Sequence, residues 1–151
     1  MTSYTLNFYT THHQFYLTDK LSPFKTDSDD FWTKDASEDK MAIEEGVIGV
    51  GTECYGPVKG EMYLLDSKSN VEDFSLYDHV VEGSIDVKSG ILQIFPCSSN
   101  EPVLEMKLNP GTYRVRVYST GLETVEFDEG DDFYKIEIWH QEYIARTVLK
   151  K

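Results

Sequence analysis

The sequence predicts a mainly β protein: an antiparallel β-sandwich of jelly-roll type with one short helix. Three observations carry this reading. Apolar and polar residues alternate with a period of two in one run after another, turn signals separate the runs about every 8–12 residues, and only one stretch has a helical pattern. The clearest run follows Pro110-Gly111, where proline presets φ for a turn and glycine accepts a positive φ. After it, Tyr113, Val115 and Val117 alternate with Thr112, Arg114, Arg116 and Tyr118. A second run places Tyr134, Ile136 and Ile138 on one side and Phe133, Lys135, Glu137 and Trp139 on the other. Such alternation suits two half-buried antiparallel strands joined by an acidic loop. Arg114 and Arg116 are then expected to pair with Glu137 across them.

The remaining elements follow in order. Tyr4–Tyr9 and Gln14–Leu17 read as strands about a turn at Thr10-Thr11-His12-His13. Lys20–Trp32 reads as a loop, with Phe24, Phe31 and Trp32 available to pin it to the body. Asp35–Glu45 is the helical candidate, with Gly46 as its C-terminal cap. Val47–Thr52 is an apolar strand whose glycines, Gly49 and Gly51, suggest a bulge or a close approach of another backbone. Gly60–Leu65, His79–Val87, Ile91–Phe95 and Val103–Leu108 read as strands, with Lys88-Ser89-Gly90 as a tight turn. Tyr143–Lys151 is either a last strand or a loose end. The sum is about nine or ten strands, and no internal repeat or linker composition divides residues 1–151.

Composition bounds function. The chain has 151 residues, 40% hydrophobic and 13% aromatic, which suits one folded domain. Its 27 acidic and 14 basic side chains leave a net charge of −13, with a pI near 4.6. That charge opposes binding to nucleic acid or an anionic membrane, both of which require clustered Lys and Arg. It suits cationic partners or divalent cations. No apolar run approaches the ~20 residues that span a bilayer, and Met1-Thr2-Ser3-Tyr4 resembles no secretory signal, so a cytoplasmic location is expected. Cys54 and Cys97 are too few for a disulfide framework, and are read as buried free thiols or a single bridge.

Candidate sites are few. The acidic run Glu123, Glu126, Asp128, Glu129, Asp131 and Asp132 reads as a solvated charge run, as a face for a basic protein partner, or as a cation loop, although its spacing matches no EF-hand. Trp139 and Tyr118, if outward, could anchor a partner. Asp78, His79 and Glu82, with Tyr118, are the candidates for a pocket binding a carbohydrate or another small ligand, or for an enzyme of unknown reaction. No nucleophile elbow, glycine-rich phosphate loop or zinc spacing is present, so no catalytic residue, cofactor or metal ligand is assigned. His12 and His13, as neighbours, are not expected to share a metal.

Several blocks carry a resemblance. His13-Gln14-Phe15-Tyr16-Leu17, Phe31-Trp32-Thr33, Gly49-Val50-Gly51-Thr52, Tyr77–Glu82, Pro110–Tyr118, Gly121–Val125 and Gly130–Tyr134 resemble the ordered blocks of a bacterial β-sandwich family of uncharacterised activity. More remotely, the order of a Gln-Phe strand, a Trp-Thr helix start and a glycine-rich strand is similar to the competence protein J family, acidic inhibitors of a DNA-entry nuclease. That resemblance implies a cytoplasmic, non-enzymatic protein that neutralises a nuclease or toxin, in the manner of an immunity protein. The C-terminal half is longer than that family's pattern, so no contact residue carries over.

Overall fold

A computed structural model describes residues 1–23 and 30–151. Phe24 therefore lies outside the described residues. The elements are β1 (Thr2–Tyr9), β2 (Gln14–Asp19), α1 (Lys34–Asp39), β3 (Met41–Glu44), β4 (Val47–Gly51), β5 (Pro57–Leu64), β6 (His79–Val87), β7 (Ile91–Pro96), β8 (Leu104–Lys107), β9 (Gly111–Thr120), β10 (Phe133–His140) and β11 (Thr147–Lys150). They form a six-stranded sheet, β1-β5-β10-β9-β6-β11, facing a five-stranded sheet, β3-β4-β2-β7-β8. The expected β-sandwich with one short helix is what the chain builds, and the tail supplies its last strand.

The alternation seen in sequence becomes the core. Val81, Ile85, Val115, Val117, Ile136 and Ile138 line the inner face of the first sheet, and Phe15, Leu17, Ile48, Val50, Leu92 and Ile94 that of the second. Burying such side chains contributes about 1.5–3 kcal/mol each relative to exposure. The β9–β10 pair is antiparallel in continuous register from Tyr113↔His140 to Thr120↔Phe133. Among the described residues one neighbouring pair is not antiparallel: β10 runs parallel to β5, with Ile136 opposite Met62.

The helix ends earlier than its pattern implies. Thr33 caps it, its Oγ1 accepting the Ala36 amide hydrogen at 3.1 Å. Lys40 then turns into the left-handed region at φ 61, and Met41–Glu44 pairs with β4 as an edge strand. Burial of Met41 and Ala42 against the sheet outweighs their helix propensity. Gly46, at φ +70, serves the β3–β4 hairpin turn and not a helix cap.

A second apolar cluster covers the outer face of the five-stranded sheet: Tyr16, Phe31, Ala36, Ala42 and Val47, with Trp32, Phe95 and Cys97 against it. Gly49 makes room for it. A Cβ there would lie 2.7 Å from Trp32 Cζ2 and 2.9 Å from Phe31 Cε2. The close approach anticipated at this glycine is thus made by aromatic rings and not by backbone.

The outer face of the six-stranded sheet is closed differently, by a buried polar network. Glu82, Arg114, Arg116, Glu137 and Trp139 are all nearly solvent-free. Arg116 Nη2 lies 3.4 Å and Arg114 Nη1 3.7 Å from Glu82 Oε1. The expected pairing of these arginines with Glu137 is corrected here: β6, on the other side of β9, supplies their counter-charge. Glu137 Oε1 instead accepts hydrogen bonds from Ser69 Oγ at 2.7 Å and from the Tyr118 hydroxyl. The segment between β5 and β6 covers this network, Val71 O accepting from Arg116 Nη1 at 3.1 Å and the Phe74 ring lying 5.6 Å from its guanidinium.

Candidate interaction surface at the acidic end

The acidic loop between β9 and β10 is folded back on itself. Gly121 opens it at φ +68, where a Cβ would meet the Asp131 carbonyl oxygen at 2.4 Å, so only glycine fits. A 3₁₀ turn, Leu122–Thr124, follows. Thr124 Oγ1 donates to Gly121 O at 2.6 Å and accepts from Asp131 N at 2.8 Å, tying the loop's two ends together. Glu126 and Glu129 exchange backbone hydrogen bonds of 2.7 and 3.0 Å around a tight turn at Phe127-Asp128.

Two of the six acidic residues secure this loop to the segment before β5. Asp128 Oδ1 accepts from Gly56 N at 3.0 Å. Asp132 is buried, its Oδ2 accepting from Cys54 N at 3.2 Å and from the Tyr134 hydroxyl at 2.6 Å. Cys54 and Cys97 are both free. Burial and the neighbouring Asp132 push the Cys54 thiol up to about 12, and the same two causes raise the Tyr134 hydroxyl. Glu123, Glu126, Glu129 and Asp131 remain exposed on the outside of the loop.

Among them stands an aromatic residue that no periodic pattern in the sequence singles out. Phe127 has φ 49, an uncommon conformation for a bulky side chain, and its ring is 69% exposed. It stacks on Tyr55, with ring centroids 5.1 Å apart and planes at 21°. Tyr55 in turn meets the rings of His12 and His13, each at 5.4 Å. Both histidines have positive φ, 58 and 60, and form the two-residue turn between β1 and β2. They therefore do not point to opposite faces of a strand; the turn gathers both against one ring. His13 Nδ1 bonds to Glu53 O at 3.0 Å, which fixes that ring. Beside them opens a cleft of about 240 Å³ lined by His12, His13, Gln14, Trp32, Lys40 and Thr52.

The other sequence candidates fall elsewhere. Trp139 is fully buried, its indole N–H donating to Gln141 Oε1 at 2.6 Å and its ring 5.2 Å from the Arg116 guanidinium, so it presents no surface anchor. Tyr118 is equally buried, its hydroxyl pushed up to about 12 by burial and by Glu137. His79 faces the interior of the sandwich on the same side of β6 as Val81, whereas Glu82 faces outward. Burial and the nearby Lys40 charge hold His79 below its ordinary value. Asp78 is exposed and accepts from Leu122 N at 3.1 Å. Asp78, His79, Glu82 and Tyr118 therefore line no common pocket. Among the described residues, no three His, Cys, Asp or Glu side chains group to hold a metal ion, and no helix is long and apolar enough to cross a membrane.

No family model matches the chain, and no curated protein matches it. Solved structures do. The chain is similar to ComJ from Bacillus subtilis, an inhibitor of the DNA-degrading activity of NucA, with a TM-score of 0.67 at 19% identity over 93% of this chain and 98% of that one. It is also similar to the product of crocagin biosynthetic gene J, with a TM-score of 0.54 at 17% identity over 94% of this chain and 100% of that one. At these identities the likeness is one of fold, and it extends over nearly the whole sandwich.

Proposed function

We propose that this chain is a non-enzymatic acidic binding protein of the cytoplasm that neutralises a basic nuclease or toxin, as an immunity protein does. The observation that carries the reading is the end of the sandwich at residues 121–131. There Glu123, Glu126, Glu129 and Asp131 are exposed on the same loop as the exposed Phe127, and Thr124, Asp128 and Asp132 tie that loop down. An exposed ring backed by a second ring is a low-entropy anchor, and a rim of carboxylates steers and orients a cationic cleft. Such a rim also competes with the phosphates that the cleft would otherwise hold. The fold shared with ComJ, an inhibitor of a DNA-degrading activity, supports the same reading.

The test is a DNA-degradation assay with a basic nuclease retained by the immobilised chain at low ionic strength. Degradation is expected to fall with added protein, and the effect to fade as salt screens the contact. Phe127→Ala and the quadruple variant E123Q/E126Q/E129Q/D131N are each expected to weaken inhibition at least tenfold, about 1.4 kcal/mol, with folding unchanged. If no basic protein is retained at low salt, the reading fails.

A second reading rests on the neighbouring cleft. Trp32 lines it beside Gln14, Lys40 and Thr52, a ring next to polar side chains that suits a small ligand such as a sugar. Titration with simple sugars, followed through the Trp32 indole N–H signal, tests it; an unmoved signal removes this reading.

A further inference from the structure

An edge strand leaves alternate N–H and C=O groups ready to pair with another chain, and proteins blunt such edges by shortening, charging or bulging them. The two sheets end in four strands, β1, β11, β3 and β8. Three are blunted. β3 has 4 residues, includes Glu44, and Arg146 Nη1 donates to its Met41 carbonyl at 3.3 Å. β8 has 4 residues and includes Glu105 and Lys107. β11 has 4 residues, includes Lys150, and slips register between Val148 and Lys150.

β1 has none of these devices. It runs for 8 residues in unbroken register from Thr2↔Leu64 to Tyr9↔Pro57, with no charge, proline or glycine. Among the described residues its backbone is hydrogen-bonded along β5 alone. Its neutrality continues into β2: Thr2 through Thr18 contains no Asp, Glu, Lys or Arg, in a chain with 27 acidic and 14 basic side chains. Thr5, Asn7 and Tyr9 are exposed, while Tyr4 and Phe8 pack on the core yet stay half-buried at this end of the sandwich.

We infer that β1 is a self-association edge, and that two copies join β1 to β1, antiparallel about a two-fold axis, into one continuous sheet. Charge selects the occupant. With a net charge of −13 the molecule as a whole repels its own copy, whereas along β1 no like charges oppose each other. A cationic strand would find nothing there to neutralise it. Pairing extends the backbone ladder and covers the half-buried Tyr4 and Phe8 with the same residues of the second copy, in the isologous geometry commonest among oligomers. This goes beyond the inhibitor reading and does not rest on it.

Sedimentation equilibrium of the whole chain over a dilution series tests the pairing. Wild type is expected to reach dimer mass with rising concentration. The double variants T5K/N7K and T5D/N7D place charge on the exposed side of β1. Each is expected to raise the dimer dissociation constant roughly tenfold or more, with an unchanged far-UV spectrum, and an equimolar mixture of the two to recover dimer mass. Wild type that stays monomeric to millimolar concentration overturns the inference. So does a dimer that survives both variants, or a mixture of the two that remains monomeric. If neither variant folds, the wild-type series decides alone.

Discussion

Glu82 pairs with two guanidinium groups, Arg114 and Arg116, beneath a closed surface where each partner's side chain is no more than 7% exposed. Removing one member of a buried ion cluster leaves uncompensated charge, which costs about 3–5 kcal/mol. Glu82→Ala is therefore expected to lower stability to urea by that order, and far more than Glu61→Ala on the exposed part of β5. Buried acids set the response to alkali. Tyr118 and Cys54 are each pushed up to about 12 from ordinary values of 10.0 and 9.0, so the folded state favours their neutral forms. The stability they lend is complete below those ordinary values and is lost as pH rises towards 12. Urea midpoints are expected to fall over that window, with a shallower slope in Tyr118→Phe and in Cys54→Ala. The sequence reveals the arginine pair through its spacing of two. It does not reveal Glu82 as their partner, because that residue arrives from a strand more than thirty positions away. Phe127 escapes for another reason: one aromatic in an acidic run reads as a core residue until its left-handed φ turns it outward.

Among the elements, the strands are the most legible, because inward and outward faces must differ wherever one side is buried. β6, β9 and β10 lie within a few residues of their expected bounds. The helix is least legible. Ala36, Met41, Ala42 and Ile43 are spaced for either a helix face or a buried edge strand, and the left-handed turn at Lys40 decides between them. Gly49 shows how one element depends on another: β4 leaves room for the rings that precede α1. Gly49→Ala is expected to cost about 1–3 kcal/mol by overpacking and to change the near-UV signal of Trp32, whose ring a new methyl group would meet at 2.7 Å. An unaltered midpoint would mean that the aromatic cover moves aside freely.

On the scale of the whole molecule, charge and fold act at different levels. The sandwich is set by apolar alternation, while the net charge of −13 acts through self-repulsion, which weakens the compact state and is screened by salt. The thermal midpoint is expected to rise as sodium chloride is raised from about 0.01 to 0.15 M, across which the screening length shrinks from about 30 to 8 Å. Sodium chloride that lowers the midpoint would show that surface ion pairs outweigh the repulsion. The acidic balance and the run from Glu123 to Asp132 are plain in the sequence, but the way that loop is held depends on tethers from residues 54–56, which no local pattern announces.

The parallel contact between β5 and β10 bears on how the chain is made. Among the described residues the long-range β1–β5 pair joins its sheet through β10, and residues 133–140 leave the ribosome long after residue 64. Until they emerge, the β1–β5 pair has an open hydrogen-bonding edge along β5. The N-terminal strands must wait, or be chaperoned, while most of the protein is still being translated.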